Sequence, residues 1–207
     1  MPRPHTPILD PDTIARAALD ALDSDGSFTM PGIAKRLNVA VSSLYHHVAS
    51  REQLLELIRG VIAEELSVAI VWPEDWREVV RQWLIGYRAG FGAHPELVRA
   101  LTAQTVRAPE VLRGYDRLAQ KLVDAGFPID RVLHVITFLD TIALGSALDV
   151  GAPDEVWSVD GVAADSALGR ALSAAPTGRV RADEAFDLTV DLAITGLESE
   201  LARASRN

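Results

Sequence analysis

The chain contains no cysteine. Disulfides, thiolate nucleophiles and cysteine-ligated metal sites are therefore excluded. No stretch approaches the ~18 uninterrupted apolar residues that argue for a membrane span. The opening residues, MPRPHTPILD, lack the apolar core of a secretory signal. A soluble, cytoplasmic chain with no membrane partner is expected. The motifs GxSxG, HExxH and GxGxxG and the phosphate loop are absent as well. The chain is therefore expected not to be an enzyme, and neither a metal nor a cofactor is expected.

One further absence is local. The net charge is −9, the wrong sign for a partner of nucleic acid. Residues 1–51 balance five basic against five acidic side chains, whereas residues 52–207 carry fifteen against twenty-four. Between 26 and 51 there is no Asp or Glu, the longest such stretch in the chain, and it holds Lys35, Arg36, Arg51 and two histidines. Phosphate attraction is screened over roughly 8 Å at physiological salt. A locally positive face on an acidic body is therefore workable, and an uncharged packing segment is the plain alternative.

What is present is helical. The 207 residues are 48% hydrophobic, enough for a sizeable core in one or two small domains. Asp10-Pro11-Asp12 reads as an N-cap, a proline at the first helical position and an acid in the first turn. Ile14, Ala18 and Leu22 follow at helical spacing, and Gly26 ends the helix. Thr29 caps a second short helix whose first turn accepts Pro31. Asn38 marks a tight turn, and a third helix is expected over 41–48. Ser50-Arg51-Glu52-Gln53 has the form of a capping box, with Gln53 reaching back, and opens a long helix toward Ala69. Further helices are expected over 75–93, from His94 and from Ala108, then over 130–150 and 183–203. Residues 151–182, rich in Gly, Ala, Pro and Ser, read as loop with one short helix near 162–174.

The segment FTMPGIAKRLNVAVSSLYHHVASREQLLELI (28–58) has the parts of a helix-turn-helix. Ile33, Leu37, Val39 and Leu44 supply an apolar inner face. Val41, Ser42, Ser43, Tyr45, His46 and His47 are left to face DNA, with no acid among them. Each has a plain reading too. Tyr45 fits a core aromatic, and His46 and His47 fit surface histidines that diverge too far to share a metal.

This segment resembles the DNA-binding domain of the TetR family of bacterial regulators. The pattern of a hydrophobe and Thr, then I-A-x-x-L, N-V, S-L-Y-x-H-V, a basic residue and L-L fixes about a dozen positions. FDLTVDLAITGLESEL (186–201) is similar to the final dimerisation helix of many members. The resemblance implies an all-α chain: an N-terminal three-helix helix-turn-helix domain (1–51), then a C-terminal helical ligand-binding and dimerisation domain (52–207). It also implies a homodimer on a double-stranded DNA operator, released by a small-molecule effector. Val41, Ser42, Ser43, His46 and His47 fall where members meet bases or their sugar-phosphate edges. Tyr45 falls where an aromatic meets phosphate or a thymine methyl, and Thr29 and Arg51 where members clamp phosphates. Three departures stand out: Pro31-Gly32 replaces an often basic stretch, Ala40 removes a cap, and Asn38 replaces the usual turn glycine.

In the second half, VLHVITFLDTIALGSAL (132–148) is apolar all round, which predicts burial on every side. By the resemblance it forms a four-helix dimer interface with the last helix. Trp83, Tyr87, His94, Gln104, His134, Thr137, Phe138 and Thr141 are the candidate ligand-binding residues, in a pocket expected to be mostly apolar. Asp140 needs a partner, whether an arginine across the dimer, a protein hydroxyl or a cationic ligand. The alternative function is an all-helical enzyme or small-molecule carrier using His134 and Asp140.

Overall fold

The computed structural model describes residues 9–204 and 206. Residues 1–8, on which most of the leader reading rests, lie outside the described residues. The order is α1 (Pro11–Asp25), α2 (Met30–Arg36), α3 (Val41–Tyr45), α4 (Arg51–Ala69), α5 (Trp76–Gly92), α6 (Pro95–Leu101), α7 (Pro109–Asp124), α8 (Ile129–Val150), α9 (Ala167–Ala174) and α10 (Gly178–Ala204). No strand occurs among the described residues, so the all-α expectation holds.

The caps sit where side-chain chemistry puts them. Asp10 Oδ1 accepts the Thr13 N–H at 2.7 Å, Thr29 Oγ1 that of Gly32 at 3.1 Å and Ser50 Oγ that of Gln53 at 3.2 Å. The capping box differs in one detail. Gln53 Oε1 accepts the Ala49 N–H at 2.7 Å, one residue before the cap itself. α3 is shorter than expected. No side chain caps it at Ala40, and it ends at Tyr45, leaving His46 and His47 in the following turn.

α10 begins at Gly178, five residues before its expected start at 183. Its first turn is held from outside. The Gly178 N–H reaches Asp154 O at 3.1 Å, and Arg181 grips Asp149 of α8 with two bonds of 3.0 and 2.8 Å. Tertiary contacts of this kind leave no local mark in a Gly- and Ala-rich stretch.

α4 joins the two ends of the molecule. It packs on α1, with Arg16 of α1 bonded to Glu65, and it also meets α5 and α7. A Cβ on Gly86 or Gly90 of α5 would lie 2.8 Å from the side chain of Ile70 or Leu66 respectively, so these glycines let the end of α4 pack closely without those side chains shifting.

α5 lies along α8, which α7 and α10 also contact. Val132, Val135, Ile136, Leu139, Ala143 and Ala147 form the buried side of α8. Its burial is not all-round in the single chain. Leu133 and Phe138 are exposed, as are Leu188 and Leu192 on α10. By length and composition alone α8 is apolar enough to cross a membrane. Its contacts with α5, α7 and α10 instead make it a central helix of the second half.

The α2–α3 turn rests on Asn38 at φ 54°. Asn38→Gly is expected to be as stable as the parent or more so. Asn38→Val is expected to lose about 1–2 kcal/mol in chemical denaturation, because a β-branched residue resists this conformation. Equal stability of the two variants would contradict a strained turn.

Candidate nucleic-acid interface and effector cavity

α3 sits on the surface, anchored by fully buried Leu44 and Val48. Ser42, Tyr45, His46 and His47 are exposed, while Val41 and Ser43 are half-buried. Thr29 lies exposed at the N-terminus of α2, and Arg51 at that of α4. The Arg51 guanidinium rests 4.8 Å above the Phe28 ring, one residue before Thr29, and the Arg51 charge is felt by the neighbouring Glu52 carboxylate. Arg36 differs: it donates to Asp25 at 2.6 Å and Ser24 at 2.8 Å, so its charge is spent on α1. The result is an exposed short helix flanked by a hydroxyl and a cation, chemistry that suits a phosphate backbone beside base edges.

A cavity of about 370 Å³ opens between α4, α5 and α7. Trp72, Trp83, Tyr87 and Phe91 form its aromatic wall, faced by Leu66, Ile70 and Val111. Trp83 and Tyr87 are stacked at 4.3 Å, Trp72 meets Trp83 edge-on at 6.2 Å, and Arg117 lies 4.6 Å above the Trp72 ring. A more open cleft of about 480 Å³ lies between α1, α4 and the start of α7.

Behind the aromatic wall lies a buried polar group. Asp140 Oδ2 accepts the Tyr115 hydroxyl at 2.8 Å, so of the three partners considered it is a protein hydroxyl that the carboxylate meets. Asp140 Oδ1 and Trp83 Nε1 are buried and complete no hydrogen bond of normal geometry. Burial pushes the Asp140 carboxyl up to about 6, against the opposing pull of Tyr115, Trp83 and the Arg59 charge. Burial, with the neighbouring Asp140 charge, also raises Tyr87 and Tyr115.

The cavity gathers few of the expected residues. Trp83 and Tyr87 line it. His134, Thr137, Phe138 and Thr141 do not; all are exposed on the outer side of α8. Their helical spacing does put them on one face, but α5 packs on another. Their polar atoms are satisfied within α8, Thr137 and Thr141 donating to Leu133 O and Thr137 O at 2.8 Å and His134 Nδ1 lying 3.1 Å from Asp130 O. His134 and Asp140 thus lie on different faces and share no site. His94 is also outside the cavity: at the start of α6, its Nδ1 lies 2.8 Å from Asp23 Oδ2 of α1. Gln104 lies on the α6–α7 loop, beside Ser50, Gln53 and Glu56.

Sequence reasoning missed Glu56 and Arg59. Arg59 Nε donates to Glu56 Oε1 at 2.9 Å, and its Nη2 to Leu101 O at 3.3 Å. Glu56 Oε2 accepts the Arg107 and Ala108 N–H groups at 2.8 and 3.0 Å. This pair pins the α6–α7 loop to α4. In sequence it looks like an ordinary i, i+3 surface pair.

Because Asp140 is raised, the folded state binds its proton more tightly than the unfolded chain. The resulting stability is fully present below the ordinary value of 3.8 and is lost as pH rises through about 6. Asp140→Asn keeps an acceptor for Tyr115 and removes the charge. Relative to the parent, it is expected to gain on the order of 2–3 kcal/mol between pH 4 and pH 7.5, read by denaturation at each pH. A pH-independent difference would show that Asp140 titrates normally.

Residues 72–201 match the tetracyclin repressor-like C-terminal domain, and residues 26–58 match the tetR family of bacterial regulatory proteins. An HTH-type transcriptional regulator of Saccharopolyspora erythraea is 26% identical over 73% of this chain; the match spans 63% of that relative, less than two thirds of its length. The class A tetracycline repressor from transposon 1721 of Escherichia coli is 28% identical over 70% of this chain and 69% of its own. Among solved structures, apo ActR from Streptomyces coelicolor superposes with a TM-score of 0.80 at 25% identity, covering 95% of this chain and 98% of its own. The two family matches fall on the helix-turn-helix and on the helical body that holds the cavity, and the chain belongs to the TetR family of bacterial regulatory proteins.

Proposed function

We propose that the chain is a cytoplasmic, homodimeric, DNA-binding transcriptional regulator, not an enzyme, which represses from a near-palindromic operator and is released by a small molecule. The observation that carries this reading is the exposed, acid-free α3, flanked by Thr29 and Arg51. Residues 1–51 are its reading unit and residues 52–207 its effector and dimer unit, with α4 shared between them. Thr29 and Arg51 hold phosphates. Val41, Ser42, Ser43, Tyr45, His46 and His47 supply the groove-facing side chains.

The second copy covers the apolar face formed by Leu133 and Phe138 of α8 with Leu188 and Leu192 of α10. Open space over Gly145 and Gly196 suits close helix approach. A single short reading helix spans only a few base pairs, so two-fold symmetry is needed to double the contact.

The cavity supports effector binding. Two similar structures, each 24% identical, carry small molecules: ActR in complex with actinorhodin, and a TetR from Acinetobacter baumannii AYE in complex with minocycline. Release follows if the effector favours a dimer whose reading helices no longer fit major grooves about 34 Å apart. A 100-fold preference supplies about 2.7 kcal/mol per site, and operator must then weaken effector binding by the same factor.

Fluorescence anisotropy with DNA from upstream of the gene tests this reading. Arg51→Ala and Thr29→Ala should weaken binding to all sequences alike, and Arg51→Ala alone should also flatten the salt dependence. Ser43→Ala and His46→Ala should change base preference, at about 1–3 kcal/mol per lost contact. Altered base preference in Arg51→Ala at an unchanged salt slope would overturn these roles. Leu192→Glu should sediment as a monomer and lose the operator; a dimeric Leu192→Glu would overturn the interface.

A further inference from the structure

We infer that a separate cleft, between α5, α8 and the start of α10, binds a small organic monocarboxylate: one acid group on a compact apolar body. The cleft is distinct from the aromatic cavity between α4, α5 and α7, and its assignment does not rest on the effector reading above. It measures about 380 Å³. Its charged lining is Arg88 of α5 and Arg179 of α10, and no Asp or Glu lines it among the described residues. On a chain whose net charge is −9, a cleft lined by charge of the opposite sign stands out.

Arg88 is the residue that points to a ligand. It is only 9% exposed, and its buried Nε has no hydrogen-bond partner among the described residues. A buried donor without an acceptor costs free energy, the more so on a charged group. Arg88 Nη2 donates to Asp183 Oδ1 at 2.8 Å, and the guanidinium lies 4.5 Å above the Phe186 ring. Asp183 is shared, because Arg179 Nε donates to both of its oxygens, at 2.8 and 3.1 Å. Hydrogen bonds from Arg88 and Arg179 hold the Asp183 carboxyl below the usual carboxylate range, so it is ionised. One carboxylate is thus set against two guanidinium groups, and one positive charge is left over. A single ligand carboxylate balances it, and its two oxygens match the planar fork of an arginine. The Arg88 guanidinium turns over the Phe186 ring to present Nε, while Arg179, 62% exposed at the rim, meets the other oxygen.

The rest of the lining is apolar and sets the body of the ligand. Ile85, Val150 and Phe186 supply surface, while Ala89, Gly92 and Ala93 have little side chain and leave the room. The volume lies at the lower end for small-molecule sites, which suits one ring better than several. A bare acetate or phosphate leaves the apolar walls wet, and a cation meets the surplus arginine charge. At 100° per residue Arg179, Asp183 and Phe186 share one side of α10, and Leu188 and Leu192 lie on the other. Pairing of two copies through those leucines therefore leaves the cleft open.

Calorimetry on the intact protein, with benzoate, acetate, inorganic phosphate and benzylamine as probes, tests the assignment. Benzoate is expected to saturate with a Kd below about 1 mM, and the other three to bind at least about tenfold more weakly. Arg88→Lys keeps the charge but loses the fork, and should weaken benzoate about tenfold. Arg179→Ala should weaken it severalfold. Ala89→Trp should abolish its binding by filling the cleft. Arg179 and Ala89 are both exposed, so these two variants should melt as the parent does and carry the test even where Arg88→Lys unfolds. Gly114→Leu, which places a side chain beside Trp83 in the aromatic cavity, should leave benzoate binding unchanged. Benzoate binding that survives both Ala89→Trp and Arg179→Ala, or that Gly114→Leu removes, would place the probe elsewhere and overturn the site. Equal or tighter binding of benzylamine, acetate or phosphate, or no saturation by benzoate up to about 10 mM, would overturn the ligand class.

Discussion

The Glu56–Arg59 pair on α4 fixes how one half of the molecule is attached to the other. Both side chains are largely buried, at 14% and 11% exposure, so their charges are set against each other with little water between. One carboxylate oxygen of Glu56 holds Arg59, and the other collects two backbone N–H groups from the loop before α7. Breaking a buried pair by removing one member strands the other, at a cost of about 3–5 kcal/mol. α4 therefore cannot tilt at its reading end without disturbing α6 and α7. The contact between His94 and Asp23 adds a second tie, from the start of α6 to α1. These two ties connect the elements around the cavity to α4 and α1 over a short distance.

The cavity and the polar group behind it are in tension. Trp83, Tyr87 and Tyr115 form a dense aromatic cluster, which excludes water from Asp140. That exclusion raises the carboxyl, and the Trp83 donor that pulls against it reaches no hydrogen bond of normal geometry with the Asp140 acceptor. Unmet buried polar atoms cost free energy, and structures tolerate them mainly where function requires it. The same aromatic packing that shapes a binding surface thus stores a local instability beneath it.

Elements announced by their own residues were legible in the sequence. Asp10, Thr29 and Ser50 each cap the helix that follows them, and Asn38 takes the left-handed turn. These are contacts within four residues, so local chemistry decides them. The 28–58 segment was readable for the same reason. The cavity was not. Trp83 and Tyr87 stood among the candidates and Phe91 lies one further turn along the same face of α5, whereas Trp72 before α5 and Tyr115 on α7 join them only through packing. His134, Thr137, Phe138 and Thr141 carried the right spacing and lie on the opposite side from the cavity wall, because periodicity tells which residues share a face and not what that face meets. The early start of α10 depends on Asp149 and Asp154, each more than twenty residues away in sequence.

Charge placement gives the molecule an electrical polarity. Acidic side chains dominate the body, while the stretch around α3 has none, and Arg36 is neutralised by Asp25 instead of adding to the exposed positive charge. A duplex approaching from the side or rear is repelled within the screening distance. In the DNA-binding role proposed above, collisions would be sorted by orientation before any base is read. Sparse positive charge at α3 would also keep sequence-independent adhesion weak, so that residence time would be set by the fit of that helix more than by general attraction to the polymer.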